Sequence, residues 1–252
     1  MDIQNKIVVV TGAASGLGAA TAALLASQHA TVIFLDKNIT SAEKNAETSG
    51  GVAFACDVSS EISVRDVIEK IMAKFKAIHV VVNCAGIVHA ARLIGKKGVM
   101  PLDDFSRVIQ INLIGTFNVM RLVAEKMCAQ DTVSADGERG VIINTASIAA
   151  FEGQLGQAAY SASKGGVVAM TLPIARELSR FGVRVMTIAP GIMETPMLAE
   201  LPEAAQKALA EDVPFPKKLG HPKQFAELVL HIIENNYLNG STIRLDGALR
   251  LK

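Results

Sequence analysis

The chain has 252 residues, enough for one large hydrophobic core, and no shift in composition divides it, so we expect a single domain over residues 1–252. Its 25 Lys and Arg residues against 24 Asp and Glu leave a net charge of +1, which gives no sequence-wide attraction for nucleic acid or an anionic membrane. Half of the residues are hydrophobic and the mean hydropathy is +0.34. Such values favour a homo-oligomer that buries apolar surface between subunits.

The cysteine pattern argues against a metal site. Cys56, Cys84 and Cys128 form no CxxC pair and no cluster with His, so we expect neither a zinc site nor a disulfide framework, and we expect a reducing, cytoplasmic location. The HExxH, GxSxG and Walker motifs are also missing. Residues 7–35 carry no Asp, Glu, Lys or Arg, but three glycines interrupt this stretch, and we expect neither a membrane span nor a signal sequence.

Short β-branched runs alternate along the chain with segments of helical spacing. The runs are KIVVV, TVIFL, VAFA, HVVVN, GVIIN, VRVMTIA and TIRL. Their almost continuous apolar character is typical of parallel strands that are covered on both faces. Helices are expected at about 15–28, 62–75, 102–128, 157–181 and 222–235. The sequence therefore predicts an α/β fold, a Rossmann-type doubly wound parallel sheet of about seven strands with helices on both faces.

The first predicted strand ends in a Gly-rich turn, TGAASGLG at 11–18. At a strand-to-helix turn, glycine lets the backbone approach a pyrophosphate, and the helix N-terminus offers unpaired N–H groups and a partial positive charge. A turn that serves only tight packing has the same spacing, so the glycines alone leave both interpretations open. If the turn binds a cofactor, the contacting residues are Gly12, Ser15, Gly16, Leu17 and Gly18.

Asp36 ends the second predicted strand, 18 positions after Gly18. A carboxylate there would accept hydrogen bonds from the adenosine ribose hydroxyls and repel a 2′-phosphate. The Gly-rich turn has no Arg or Lys to neutralise such a phosphate, so we expect NAD rather than NADP, and Lys37 is the one feature that argues the other way. A helix-capping or surface aspartate is the alternative interpretation of Asp36.

The next two predicted strands also end in residues suited to a cofactor. Asp57 closes the third strand and could accept a hydrogen bond from the adenine amino group, although Asp is also common in turns. The fourth strand ends in NCAG, which places small residues along the path of the cofactor. The cofactor contacts predicted from these two strands are Asp57, Val58, Asn83, Cys84, Ala85 and Gly86.

Tyr160 and Lys164 are four residues apart, so on a helix they share one face. A free phenol with a pKa of about 10 is a poor base at neutral pH, and a neighbouring ammonium would lower that pKa so that the phenol can exchange a proton with a substrate hydroxyl. Ser147 follows the fifth predicted strand and can hold the substrate oxygen against Tyr160. Singly, each residue is more often structural, but their order and spacing together favour an acid/base site.

These motifs resemble the short-chain dehydrogenase/reductase family: TGxxxGxG at 11–18, NCAG at 83–86 where the family usually has NNAG, and YSASK at 160–164. Within that family the chain is similar to the type 10 17β-hydroxysteroid and short-chain 3-hydroxyacyl-CoA dehydrogenases. That similarity lies in RGVIINTAS at 139–147, AFEGQ at 150–154 and QAAYSASKGG at 157–166, and TLPIAREL, RVMTIAPG, VPFPK and RLDGA extend it over nearly the whole chain.

The resemblance implies roles for individual residues. Asn112 would hold a water chain that leads to Lys164, with a simple helix bend as the alternative, and Lys164 would bond the nicotinamide ribose. Thr195 would bond the nicotinamide carboxamide, close to Pro190 and Gly191. The implied catalytic residues are Asn112, Ser147, Tyr160 and Lys164. The implied substrate contacts are Ser147, Gln154 and Tyr160, and Tyr160, Lys164, Pro190, Gly191 and Thr195 join the cofactor contacts.

Residues 192–213 are expected to be mostly helical and to act as a mobile lid over the substrate. An ordinary amphipathic helix is the alternative. In the lid interpretation, an apolar and adaptable wall would be formed by Met193, Met197, Leu198 and Leu201.

The segment 91–98 is longer than a minimal connection and carries three positive charges, Arg92, Lys96 and Lys97. In the resembled group, an insertion here borders the acyl-CoA site. We therefore hypothesise that these charges attract the phosphates of coenzyme A, although a solvated loop explains them equally well.

The expected activity is reversible hydride transfer between NAD(H) and a secondary alcohol or ketone, with (S)-3-hydroxyacyl-CoA and 3-oxoacyl-CoA as the main pair and hydroxysteroids as further substrates. The resemblance implies a homotetramer that acts in fatty acid metabolism. One alternative is an NADPH-dependent 3-oxoacyl-acyl-carrier-protein reductase, which Asp36 disfavours. Another is a scaffold or RNA-processing subunit on the same fold, which the intact Ser147, Tyr160 and Lys164 disfavour.

Overall fold

The computed structural model of the chain describes residues 1–96, 98–199 and 202–251, except for the side chains of Met197 and Ala205. A seven-stranded parallel sheet forms its centre. Its strands are β1 (Ile7–Thr11), β2 (Thr31–Asp36), β3 (Val52–Ala55), β4 (Val80–Asn83), β7 (Gly140–Thr145), β8 (Val183–Pro190) and β9 (Thr242–Leu245), and a separate antiparallel hairpin has β5 (Ile94–Gly95) and β6 (Gly98–Val99). The order of the strands in the sheet is β3-β2-β1-β4-β7-β8-β9. The predicted doubly wound sheet is confirmed.

Helices connect the strands of the sheet and cover both of its faces. They are α1 (Gly16–Ser27), α2 (Ile39–Ser49), α3 (Glu61–Phe75), α4 (Leu102–Ile109), α5 (Gly115–Ala129), α6 (Ala158–Ser179), α7 (Pro196–Ala199), α8 (Glu203–Glu211) and α9 (Pro222–Glu234). Four predicted helices agree with α1, α3, α6 and α9 within two residues at each end. Helix α2 escaped prediction because its sequence is mainly polar and buries only Ala42 and Ala46.

The predicted continuous helix at 102–128 is wrong in one respect. A π-helical turn, Gln110–Ile114, separates α4 from α5, so one wider turn interrupts the regular ladder of hydrogen bonds. A 3₁₀-helix, Ile148–Ala150, follows β7. Both irregular turns lie beside residues that the sequence marks as catalytic, Asn112 and Ser147.

The side chains of β1 alternate between two cores. Val8 and Val10 are fully buried in a cluster with Phe225 of α9, and Val9 is fully buried in a second cluster with Ile68 of α3. Both faces of the strand therefore need apolar side chains, which is why the strand reads as an apolar run and does not alternate with polar residues.

The carboxyl ends of the central strands lie in register. Thr11 of β1 pairs with Asn83 of β4, and Asn83 pairs with Asn144 of β7. The loops that follow these strands consequently lie side by side at one edge of the sheet, where open α/β sheets bind their ligands. This edge brings the Gly-rich loop together with the segments that begin at Cys84 and Ala146.

Candidate active site

The Gly-rich loop between β1 and α1 has a backbone that only glycine adopts without strain. Gly12 and Gly16 have φ values of +68° and +55°. A Cβ on Gly12 would lie 2.7 Å from the amide nitrogen of Ala85, and a Cβ on Gly18 would overlap the carbonyl oxygen of Gly12. Ser15 occupies the N-cap of α1 without a side-chain capping bond, and the first turn of α1 contains no acidic residue. The loop and helix end therefore fit a dinucleotide pyrophosphate.

Two side chains outside the loop hold it in place. Asp36 accepts a hydrogen bond from the Ala14 amide at 3.0 Å, and its other carboxylate oxygen accepts one from the Asn38 amide at 2.9 Å. Asn45 of α2 donates to the carbonyl oxygens of Ala13 and Ala14 at 3.1 and 3.0 Å. Sequence reasoning missed Asn45, because a lone asparagine in a polar segment carries no signal until α2 is placed beside the loop.

Lys37, the residue that argued for NADP, forms an ion pair with Asp57. Its ammonium lies 2.9 Å from one carboxylate oxygen of Asp57. The other oxygen accepts hydrogen bonds from the Ser59 hydroxyl at 2.6 Å and the Ser59 amide at 3.0 Å. The Ser59 hydroxyl, followed by Lys37, lowers the pKa of Asp57. Lys37 is thus paired with a carboxylate close to the end of β2. Both carboxylate oxygens of Asp57 have partners within the protein.

The segment after β4 links the strands to the candidate catalytic residues. Asn83 is buried and donates to the side chain of its register partner Asn144 at 2.9 Å, so it lies within the sheet. Burial raises the pKa of the Cys84 thiol to about 11, so this thiol stays protonated at neutral pH. The Ala85 amide donates to the Thr11 hydroxyl at 3.2 Å. At Gly86 an added Cβ would lie 3.6 Å from the Lys164 ammonium nitrogen.

Val58, which follows β3 in sequence, packs against the start of α5. It is buried, its carbonyl oxygen accepts a hydrogen bond from Asn118 at 3.0 Å, and a Cβ on Gly115 would lie 2.8 Å from its Cγ2 atom. Packing against α5 therefore fixes the backbone that follows β3.

Helix α6 and the end of β7 bring together the candidate acid/base residues. The Lys164 ammonium lies 5.8 Å from the centre of the Tyr160 ring and donates to the carbonyl oxygen of Thr145 at 2.7 Å. The Ser147 side chain is hydrogen-bonded to Tyr160, and its oxygen also accepts from the Ala149 amide at 3.1 Å. Burial lowers the pKa of Lys164 to about 8. Such a lysine exchanges protons close to neutral pH.

The expected effect of Lys164 on Tyr160 is wrong for the protein groups alone. Burial raises the pKa of Tyr160 above the ordinary value for a tyrosine, and the hydrogen bond with Ser147 opposes that rise. Desolvation disfavours the phenolate, and the Lys164 ammonium donates its hydrogen bond to the carbonyl oxygen of Thr145. Among the described residues, Ser147 is the group that lowers the pKa of Tyr160, and a positive charge on a bound cofactor would lower it further.

Asn112 lies in the π-helical turn and is fully buried. Its side chain accepts a hydrogen bond from the Ile87 amide at 2.8 Å and donates to the Ile87 carbonyl oxygen at 2.9 Å and to the Ser163 hydroxyl at 3.1 Å. The Ser163 hydroxyl in turn donates to the carbonyl oxygen of Tyr160 at 2.7 Å. Asn112 thus ties the segment after β4 to the first turns of α6, and its role in a water chain stays a prediction.

The segment after β8 folds over the Gly-rich loop. Pro190 ends β8, and the Gly191 amide donates to the carbonyl oxygen of Leu245 at 2.9 Å. The side chain of Thr195 lies 3.5 Å from the position of a Cβ on Gly16. Thr195 and the Gly-rich loop are therefore neighbours, although 179 positions separate Gly16 and Thr195 in sequence.

The predicted lid is helical in two parts, α7 and α8. Met193 is buried and its residue pairs with Gly220 in a parallel bridge, which anchors the start of the segment. Leu198 is partly buried. Of the other wall residues, Leu201 lies outside the described residues, as does the side chain of Met197. Motion of this segment stays a prediction.

The residues predicted to contact substrate, apart from Ser147 and Tyr160, are exposed where the structure describes them. Gln154 is exposed on the loop that precedes α6, and Arg92 and Lys96 are exposed on the β5–β6 hairpin. Lys97 lies outside the described residues. The Ala91 amide donates to the carbonyl oxygen of Gly156 at 2.9 Å, so the base of the hairpin is tied to the loop that leads to Tyr160.

The described residues contain neither a membrane-spanning helix nor a metal-binding cluster. Within residues 1–96, 98–199 and 202–251, no helix is both long and apolar enough to cross a bilayer. The same part of the chain contains no group of three or more His, Cys, Asp or Glu side chains arranged to hold a metal ion.

Comparison with known proteins identifies the family of this site. Residues 6–206 match the family model described as short chain dehydrogenase. This chain belongs to the short chain dehydrogenase family. It is therefore an oxidoreductase, and members of this family generally use NAD(H). Its Gly-rich loop, the carboxylate of Asp36 and the buried Lys164 fit such a cofactor.

Individual relatives match along almost their full length. A protein of Bos taurus named 3-hydroxyacyl-CoA dehydrogenase type-2 is 53% identical over 99% of this chain and 97% of its own length. A 3-oxoacyl-acyl-carrier-protein reductase of Thermotoga maritima is 37% identical over 99% of both chains. The crystal structure of 3-hydroxyacyl-CoA dehydrogenase type-2 from Mycobacterium avium superposes with a TM-score of 0.91 at 37% identity and covers 100% of this chain and 99% of its own.

Proposed function

We propose that this chain is an NAD-dependent 3-hydroxyacyl-CoA dehydrogenase, which converts (S)-3-hydroxyacyl-CoA and NAD reversibly into 3-oxoacyl-CoA, NADH and a proton. The observation that carries the proposal is the 53% identity, over nearly the full length of both chains, to a bovine protein with that name. Fatty acid metabolism is the corresponding process, and hydroxysteroids are proposed as additional secondary-alcohol substrates.

In the proposed mechanism, the Gly-rich loop would hold the pyrophosphate, Asp36 the adenosine ribose and Thr195 the nicotinamide end. When bound, the cofactor would supply the hydride acceptor and, in its oxidised form, a positive charge. Ser147 and Tyr160 hydrogen-bond the substrate oxygen, and Tyr160 takes the hydroxyl proton during oxidation. Lys164, with a pKa of about 8, exchanges protons close to neutral pH and would pass that proton on.

Two features at the end of β2 support the preference for NAD: the carboxylate of Asp36 and the ion pair between Lys37 and Asp57. Asp36 presents a carboxylate where a 2′-phosphate would bring negative charge. The ion pair with Asp57 compensates the ammonium of Lys37, which is the cation closest in sequence to Asp36. These charges favour the dehydrogenase over an NADPH-dependent 3-oxoacyl-acyl-carrier-protein reductase.

The preference for a coenzyme A thioester is supported by the β5–β6 hairpin. Arg92 and Lys96 are exposed on it, and its base is hydrogen-bonded to the loop before Tyr160. Together with Lys97 they would attract the phosphates of coenzyme A while the acyl group reaches Tyr160 and Gln154.

A cytoplasmic homotetramer is the proposed form of the enzyme. Helices α4, α5 and α6 leave large apolar side chains exposed in the single chain, Leu102, Phe117 and Leu172 among them. Burial of such residues between subunits would remove apolar area from water. Light scattering of the purified protein measures the subunit number directly.

A substrate and cofactor panel tests the proposed function. Turnover of acetoacetyl-CoA, an acetoacetyl-acyl-carrier-protein thioester and a 17-ketosteroid is measured with NADH and with NADPH at equal concentrations. We expect the largest kcat/KM for acetoacetyl-CoA with NADH. A larger kcat/KM for the carrier-protein thioester with NADPH would identify a reductase instead, and turnover of none of the three would contradict the proposal.

A further inference from the structure

The bridging loop, residues 148–157, joins Ser147 to the helix that carries Tyr160. Much of this loop lies at the surface: Phe151 is 49% exposed and Leu155 is 85% exposed. Apolar burial therefore holds its middle only weakly. A loop between two residues that share one substrate oxygen nevertheless needs a fixed conformation, because small errors in position are costly for catalysis.

Arg244 of β9 supplies a fixed contact from outside the loop. Its guanidinium donates to one Glu152 carboxylate oxygen at 3.1 Å and makes a second, shorter bond to the other oxygen. It also donates to Asp246 at 2.7 Å and to the carbonyl oxygen of Leu249 at 3.2 Å. The guanidinium lies 5.0 Å from the centre of the Phe151 ring. All three nitrogen atoms are thus used, which fixes the plane of the guanidinium.

Glu152 transmits this contact to both candidate catalytic residues. Its backbone amide donates to the carbonyl oxygen of Ile148 at 3.1 Å, in the same short helix that Ser147 caps. The next residue, Gly153, packs against the residue after Tyr160, because a Cβ on Gly153 would overlap the Ser161 hydroxyl. A displacement of Glu152 would therefore reach Ser147 on one side and the first turn of α6 on the other.

We propose that Arg244 is a positioning residue: its two-point ion pair with Glu152 fixes the bridging loop and so sets the Ser147 hydroxyl against Tyr160. The proposal rests on the proposed function in so far as Ser147 and Tyr160 act on substrate. The Arg244 and Glu152 side chains are each 23% exposed, so the pair is partly shielded from solvent. Bidentate geometry and partial burial distinguish it from an ordinary surface ion pair.

A matched control exists in the same cluster. Arg250 contacts Asp246 at 3.0 Å, but its approach to Glu152 is long, at 3.8 Å, and its side chain is 57% exposed. Removing Arg250 takes one positive charge from the same place without removing the two-point contact to the bridging loop. Comparison of the two arginines therefore separates positioning from local charge.

The test compares Arg244→Met, Arg244→Lys and Glu152→Gln with Arg250→Met and the wild type. We measure kcat and KM for acetoacetyl-CoA, NADH affinity by fluorescence, Tm, and the alkaline titration of Tyr160 by its tyrosinate absorbance. We expect kcat to fall about 30-fold in Arg244→Met, with NADH affinity within about twofold of wild type. Arg244→Lys keeps the charge but loses the fork, and it should recover less than half of the loss. Arg250→Met should keep kcat within about twofold.

The Tyr160 titration is a readout that loss of stability alone would not move. Because the Ser147 hydrogen bond lowers the pKa of Tyr160, misplacing Ser147 should raise the titration midpoint in Arg244→Met and Glu152→Gln but not in Arg250→Met. If Arg244→Met fails to fold, Glu152→Gln gives the same comparison. Equal losses of kcat in Arg244→Met and Arg250→Met, or an unchanged Tyr160 midpoint, would overturn the proposal. Wild-type protein that turns over no ketone would contradict the proposed function, and the titration would still test the positioning.

Discussion

The proposed cofactor edge, at the Gly-rich loop, and the proposed substrate edge, at the β5–β6 hairpin, are built in different ways. At the cofactor edge, backbone meets backbone: a Cβ on Gly12 would lie 2.7 Å from the amide of Ala85, and a Cβ on Gly18 would overlap the oxygen of Gly12. At the substrate edge, the β5–β6 hairpin leaves Leu93, Ile94 and Val99 about two-thirds or more exposed, at 71%, 67% and 71%. The first region tolerates one residue type at each critical position, whereas the second places few steric limits on its side chains.

This difference explains why one edge carries a motif and the other does not. The pyrophosphate of a dinucleotide is constant, and a close backbone approach at a helix N-terminus has one solution in residue types. A substrate is recognised by side chains on loops, which can change without disturbing the sheet. Sequence motifs therefore predict the cofactor more specifically than the substrate.

The largest expected difference between the two edges comes from replacing one glycine by alanine in each of them. In Gly18→Ala the new Cβ overlaps the Gly12 oxygen, and overpacking of about 2–3 kcal/mol should reduce NADH affinity more than about 30-fold and lower the Tm. In Gly95→Ala of the hairpin, the new Cβ meets only the Gly98 oxygen at 3.8 Å, so affinity and Tm should stay near wild type. Fluorescence titration and thermal unfolding check both, and equal effects would remove the contrast between the edges.

Sequence reasoning predicted those features that local residues determine. The seven strands form at the predicted runs, and the Gly-rich loop follows β1. Ser147 follows β7, and Lys164 of α6 donates to the end of that strand. What escaped prediction depends on residues far apart in sequence or on features without a strong pattern: the contact of Asn45 with the Gly-rich loop, the two-residue strands of the hairpin, and the interruption of the helix around Asn112.

The electrostatics were the least predictable part. A spacing of four residues places Lys164 beside Tyr160, but it does not say that the ammonium donates to Thr145 or that burial outweighs its charge. In the same way, the position of Lys37 next to Asp36 favours NADP in the sequence, but in the structure the ion pair with Asp57 compensates its charge. Such outcomes depend on desolvation and on third partners, neither of which is encoded in spacing.

The next largest effect concerns the choice of cofactor. In Asp36→Ala, loss of one charged acceptor is worth about 2 kcal/mol, so the ratio of NADPH to NADH affinity should rise about 30-fold. Adding Asp57→Asn removes the charge that pairs with Lys37, which frees its ammonium for a 2′-phosphate and should raise the ratio about threefold more. Direct binding measurements give both ratios. The triple variant Asp36→Ala, Lys37→Ala, Asp57→Asn is the control, and it should lack the second increase.

A smaller effect is expected at the substrate edge, where charge acts through solvent. Replacing Arg92, Lys96 and Lys97 together by Gln should raise KM for acetoacetyl-CoA about five- to tenfold, since each exposed charge is worth up to about 1 kcal/mol. The KM for a small ketone without phosphates should not change. The increase should shrink in high salt. Equal changes for both substrates would show that the hairpin charges do not recognise coenzyme A.

The smallest effect is a shift of one titration, and it joins the two edges at Tyr160. The chain has two tyrosines and no tryptophan, so subtracting the alkaline absorbance titration of Tyr160→Phe from that of the wild type isolates the Tyr160 phenol. Without cofactor the midpoint should lie above the ordinary value of about 10, because burial raises the pKa of Tyr160. Saturating NAD should lower it, since oxidised nicotinamide brings a positive charge that stabilises the phenolate. Reduced cofactor, which lacks that ring charge, is the matched control and should lower it less. A midpoint already below 10 in the protein alone would mean that Lys164 activates Tyr160 unaided, and the cofactor edge would then contribute binding without tuning the acid/base group.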